Sequence, residues 1–101
     1  MARLDLRRRS RREAGGTGYM YFVYILKSVN NPKTYVGITD NLYRRLEQHN
    51  SGYHVYTKRY KPWKIIYNEL LADRKSAHVR EKYFKSATGR NWIKRVLFTD
   101  A

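Results

Sequence analysis

Short apolar runs separated by turn residues organise most of the chain. Tyr19 to Leu26 (YMYFVYIL) is β-branched and aromatic, is bounded by Gly18 and Lys27, and predicts a strand. Val29-Asn30-Asn31-Pro32 is a turn cluster, and Thr34 to Thr39 (TYVGIT) predicts a second strand that closes an antiparallel hairpin. Gly37 inside that strand predicts either a bulge or a close approach to the backbone. Asp40 is a good N-cap for a helix over Asn41–Asn50, ended by Ser51-Gly52. Residues 53–62 (YHVYTKRYKP) read as a basic, aromatic loop, and Trp63 to Leu71 as a third strand. A longer helix over Arg74–Ala87, a break at Thr88-Gly89 and a short helix over Asn91–Leu97 complete the order ββαβαα. The expected fold is α+β: a small three-stranded antiparallel sheet flanked by about three helices, with no internal repeat.

Residues 1–18 stand apart. They hold six Arg, Asp5 and Glu13, almost nothing apolar after Leu6, and a Gly-rich end. Such a segment buries too little surface to offset its ordering entropy, so it is expected to be a disordered basic tail. Its readings are an arm holding nucleic acid non-specifically, an Arg-rich transit sequence, or no dedicated role, either because Met20 is the true start or because the segment is a passive tail. The last is favoured. The expected domain spans 19–97, with 98–101 as a C-terminal tail.

Charge sharpens the picture. The 101 residues contain 22 Lys and Arg against 8 Asp and Glu, for a net charge of +14, and +10 of that belongs to residues 19–101. A polyanion is the expected partner, because neutralising phosphates releases counterions; the plain alternative is a merely basic protein. The absence of cysteine excludes a disulfide framework, a thiolate zinc site and a cysteine nucleophile. No apolar run approaches the ~20 residues of a membrane span, so a soluble, cytoplasmic protein without a membrane partner is expected.

Several residues could carry chemistry. On the first helix Leu42 and Leu46 mark the buried stripe, and Arg45 and His49, also four apart, fall beside it. Either they form a site, or Arg45 snorkels and His49 caps the helix end. On the second helix Glu81 shares a face with Ala77 and Phe84. A carboxylate there is either paired, with Arg45 or Arg80, or it ligates a hard divalent cation. One carboxylate so placed does not support a two-metal cluster. Tyr24 and Tyr35 lie one on each hairpin strand, eleven residues apart, where tyrosine is most often packing but could also handle a proton.

These residues occur in the order of a known family. Val23-Tyr24-Ile25 followed by Tyr35-Val36-Gly37 resembles the two halves of the GIY-YIG nuclease signature. Asn41-Leu42-Tyr43-Arg44-Arg45-Leu46 with His49-Asn50 is similar to its first-helix motif, and Arg80-Glu81 with Lys85 to its metal-binding helix. The resemblance covers roughly residues 20–97 and is closest to small stand-alone members. It implies hydrolysis of DNA phosphodiester bonds with a single Mg²⁺ or Mn²⁺ held by Glu81, in the service of repair or recombination. It implies that Tyr35 handles the attacking water, that Arg45 stabilises charge on the phosphate, and that Tyr24 and His49 complete the network. Arg44, Lys58, Arg59, Lys61, Lys82 and Lys85 are the expected backbone grip, without sequence readout. The sequence departs from the pattern at Phe22, where the first Gly of the signature would stand, and at Ile38, where some relatives carry a lysine. Asn91 falls near a family asparagine. No small-molecule cofactor is expected, and a protein partner could supply specificity. The rival reading is a non-catalytic nucleic-acid-binding module on the same scaffold.

Overall fold

The computed structural model describes residues 20–98; the expected tail 1–18 and residues 99–101 lie outside them. Strands β1 (Tyr21–Ser28), β2 (Thr34–Thr39) and β3 (Trp63–Leu71) form one antiparallel sheet in the order β2-β1-β3. The central strand β1 is covered on both faces, which explains its nearly unbroken apolar run. Alternate side chains separate into two cores. Phe22, Tyr24 and Leu26 pack with Leu42 and Trp63 on one face, and Val23 and Ile25 with Val36, Phe84 and Ile93 on the other. Phe22, at the departure from the family signature, is therefore a fully buried core side chain. The first strand runs past the expected Leu26 to Ser28, because Lys27 and Ser28 still pair with Lys64 and Trp63 and the Ser28 hydroxyl donates to the Tyr60 carbonyl at 2.7 Å.

The helices are α1 (Leu42–Asn50), α2 (Val55–Arg59), α3 (Arg74–Lys85) and α4 (Ala87–Trp92), the last continuing as a π-helical turn over Ile93–Leu97. Three details differ from expectation. Asn41, not Asp40, caps α1: its side chain accepts from the Arg44 amide at 3.0 Å, while Asp40 pairs with the Arg44 guanidinium. The loop at 53–62 contains α2, pinned by the Trp63 indole, which donates to the Thr57 carbonyl at 2.7 Å. The break between the last helices falls at Ser86 rather than Thr88-Gly89. Extended Ser86 ends α3 and its hydroxyl accepts from the Gly89 amide at 3.2 Å, starting α4. Gly89 sits inside α4 because a Cβ there would collide with the Tyr83 carbonyl and the Phe84 backbone.

Candidate active site

The hairpin and α1 bring four chemistry-bearing side chains together. His49, completely buried, lies between Tyr24 and α2: Nε2 is 3.0 Å from the Tyr24 hydroxyl and Nδ1 is 2.9 Å from Thr57 Oγ1. The Thr57 hydroxyl donates onward to the His54 carbonyl, so its oxygen is free to accept from a protonated His49 Nδ1. His49 Nε2 is then the acceptor, and the Tyr24 hydroxyl donates to it. Burial, then the charges of His54 and Arg45, lower the His49 pKa to about 4, in keeping with a neutral imidazole.

Tyr24 is buried, and burial pushes its hydroxyl above the usual phenol range; Tyr35 adds to the shift, Arg45 opposes it and Glu81 adds again. This hydroxyl stays protonated and serves as a fixed donor. It also explains Gly37. The β1–β2 register runs unbroken through Gly37, so the bulge alternative fails there; the irregularity lies between Ile25 and Leu26 on the β3 side. A Cβ on Gly37 would stand 2.6 Å from the Tyr24 hydroxyl oxygen. Gly37→Ala is expected to push Tyr24 off His49 and to cost about 1–3 kcal/mol, the usual penalty for an orphaned buried polar group. Urea unfolding of the variant against wild type checks this.

Tyr35 is half-buried on the edge strand, its ring centroid 4.9 Å from that of His49, 6.4 Å from Tyr24 and 6.3 Å from Tyr56. Arg45 is also half-buried. One terminal nitrogen donates to His54 Nε2 at 3.2 Å, while its Nε, shielded from solvent, has no hydrogen-bond partner among the described residues. A buried guanidinium N–H without an acceptor is rare and suits a ligand oxygen. Burial and then Arg45 lower the His54 pKa, in keeping with a ring nitrogen that accepts this bond. His54 and Thr57 are members of the cluster that the sequence reading did not single out; a histidine two residues from Tyr56 in an aromatic, basic stretch was the available signal.

Glu81, on α3, is within electrostatic reach of the Tyr24 hydroxyl but bonds to neither residue proposed as its ion-pair partner. Arg80 forks onto Glu69 instead, at 2.9 and 2.7 Å. Glu81 is 19% exposed; His78 meets one oxygen at 3.1 Å and Lys85 the other at 3.0 Å. Both partners are more than half exposed and sit on the same helix, so these pairs are weak. Among the described residues no three His, Asp or Glu side chains converge as a cage. One hard carboxylate with weak partners, within electrostatic reach of Tyr24, fits a single ion that keeps most of its water.

The expected phosphate grip is more dispersed. Lys58 and Arg59 are exposed on α2, Lys61 just beyond it and Lys82 on α3, while Arg44 is held by Asp40. Lys85 borders a groove beside Tyr35, where Arg90 joins it. Asn91 is exposed on α4 and is not among the residues lining that groove.

Residues 20–94 match the GIY-YIG catalytic domain. A UPF0213 protein of Clostridium perfringens is 39% identical over 70 residues, covering 68% of this chain and 74% of that protein. The UPF0213 protein YazA of Bacillus subtilis is 35% identical over 69 residues, covering 67% and 69%. A solution NMR structure of a UPF0213 protein from Bacillus halodurans aligns with a TM-score of 0.46 at 24% identity, covering 76% of this chain and 84% of that one. The family match spans the sheet, α1 and α3 that hold the cluster, and the chain belongs to the GIY-YIG catalytic domain family.

Proposed function

We propose that the protein is a divalent-metal-dependent endonuclease that hydrolyses phosphodiester bonds in DNA, in repair or recombination. The observation that carries this reading is the convergence of Tyr24, Tyr35, Arg45 and His49, with an unpaired buried N–H on Arg45 and the Glu81 carboxylate in electrostatic reach. A structural cluster would satisfy its own donors.

In this reading Glu81 holds the ion, Mg²⁺ or Mn²⁺. When bound, the ion supplies Lewis-acid charge for a phosphate oxygen and for the leaving 3′ oxygen. Arg45 directs its free N–H groups at the phosphate and stabilises the charge that develops there. His54 holds the guanidinium in place through its terminal nitrogen. Tyr35 positions the attacking water through its hydroxyl, since it is the tyrosine of the pair that reaches solvent. Tyr24 is the fixed donor, its proton directed by neutral His49 and, behind it, Thr57. The exposed Lys58, Arg59, Lys61, Lys82 and Lys85, with Arg44, attract the backbone without reading sequence.

Non-catalytic binding draws on one observation, the engagement of Glu81 by His78 and Lys85. An assay with supercoiled plasmid separates the two. Nicking in Mg²⁺ or Mn²⁺ that stops in excess chelator is expected for the enzyme; plasmid retarded on a gel but uncut with every divalent ion would establish the binding module.

A further inference from the structure

A groove of about 280 Å³ opens beside Tyr35, between β2 and helices α2, α3 and α4. Phe84 and Ile93 form an apolar floor, Tyr35 and Tyr56 stand on its wall, and Lys85 and Arg90 supply positive charge; among the described residues no acidic side chain lines it. Tyr56 is 49% exposed although it is a large aromatic, and its ring lies 6.3 Å from that of Tyr35 at 31°. The adjoining Tyr53 and Val55 are 71% and 88% exposed. Solvent-facing aromatic and apolar side chains next to cationic ones are what a stacked base and its phosphate require.

We infer that this groove seats one unpaired nucleobase next to the scissile phosphate, so that the preferred substrate is DNA with an unpaired nucleotide at the cleavage site. The groove takes a single flat, apolar group with an anion at its edge. A base inside a duplex is stacked on both faces and hydrogen-bonded along its edge, so it enters only after leaving the helix, which costs energy that a single strand does not spend. Lys85 and Arg90 meet the flanking phosphate. Lys85, already bonded to Glu81, places this subsite against the proposed metal ligand. Tyr56 is the stacking residue.

The inference rests on the nuclease reading for where the strand lies, but its test is binding in chelator, where no cleavage contributes. A short fluorescent single strand and the same sequence as a blunt duplex are titrated with the full-length protein at fixed salt and read by anisotropy. The single strand is expected to bind roughly tenfold or more tightly than the duplex. Tyr56→Ala is expected to weaken single-strand binding by roughly five- to a hundredfold, the range for loss of one aromatic–base stack, and to leave duplex binding unchanged. Tyr56→Phe, which keeps the ring, retains single-strand binding and serves as the folded control. Equal affinity of wild type for the two DNAs, or equal weakening of both by Tyr56→Ala, overturns the inference. Absence of nicking in divalent ions would overturn the nuclease reading instead, and the two failures are read in different experiments.

Discussion

Lowering the pH from 7 to 4 is expected to remove about 3 kcal/mol of folding stability through His49. The unfolded chain protonates this imidazole near 6.5, whereas the folded protein does so only near 4. Between those values the unfolded state binds a proton that the folded state excludes, so stability falls as pH falls through that window and is fully present above it. The difference between 6.5 and about 4 corresponds to about 3 kcal/mol. The cause is geometric. His49 is fully buried, Thr57 and Tyr24 occupy its two nitrogens, and Arg45 and His54 bring unfavourable charge. His54 is depressed as well and contributes with the same sign. Glu69 and Asp73, whose carboxyls sit below their usual range, lose their contributions only at lower pH. Urea midpoints measured from pH 7 to 4.5 should therefore fall steeply in wild type and much less steeply in His49→Gln. A wild-type slope no steeper than that of the variant would contradict the assigned state of His49.

Arg45→Ala is expected to lower the nicking rate by about 10²- to 10³-fold, the usual loss when a preorganised donor to a developing negative charge is removed. Arg45→Lys should recover little of it, because an ammonium cannot reproduce the planar fork that leaves Nε free while a terminal nitrogen holds His54. The folded state should not suffer in proportion. Arg45 is only half-buried and its Nε contributes no hydrogen bond among the described residues. Single-turnover nicking measured beside thermal unfolding makes the distinction. A rate within a few-fold of wild type would remove Arg45 from the chemistry.

The parts of this architecture that were legible from sequence are those with periodic burial. The apolar runs of β1 and β3 and the Leu42/Leu46 stripe announced the sheet and α1, and helical spacing alone put Arg45 and His49 beside that stripe, although His49 lies fully inside the core rather than at its edge. Helix α2 was not legible, because its five residues hold together by other means. Val55 is almost fully exposed, and the only buried residue, Thr57, is kept by His49 and by the Trp63 indole above its carbonyl. Asp40 reads as the cap of α1 in the sequence, yet Asn41 caps it in the structure. The choice is made by Asp40 pairing with Arg44. The polar partners were the least legible. Helical spacing leaves Glu81 either paired with Arg45 or Arg80 or ligating a cation; Arg80 is instead taken by Glu69 on β3, a pairing that depends on how α3 docks rather than on spacing. His54 escaped notice for the same reason: its contact with Arg45 exists only because α2 folds back on α1.

The proposed metal site rests on Glu81, which among the described residues is the carboxylate within electrostatic reach of Tyr24. Plasmid nicking by wild type and Glu81→Ala in Mg²⁺ and in Mn²⁺, at enzyme concentrations giving equal DNA binding, tests it most directly. Open-circular product is expected from wild type, and none above the chelator control from the variant. Equal nicking by the two proteins would contradict it.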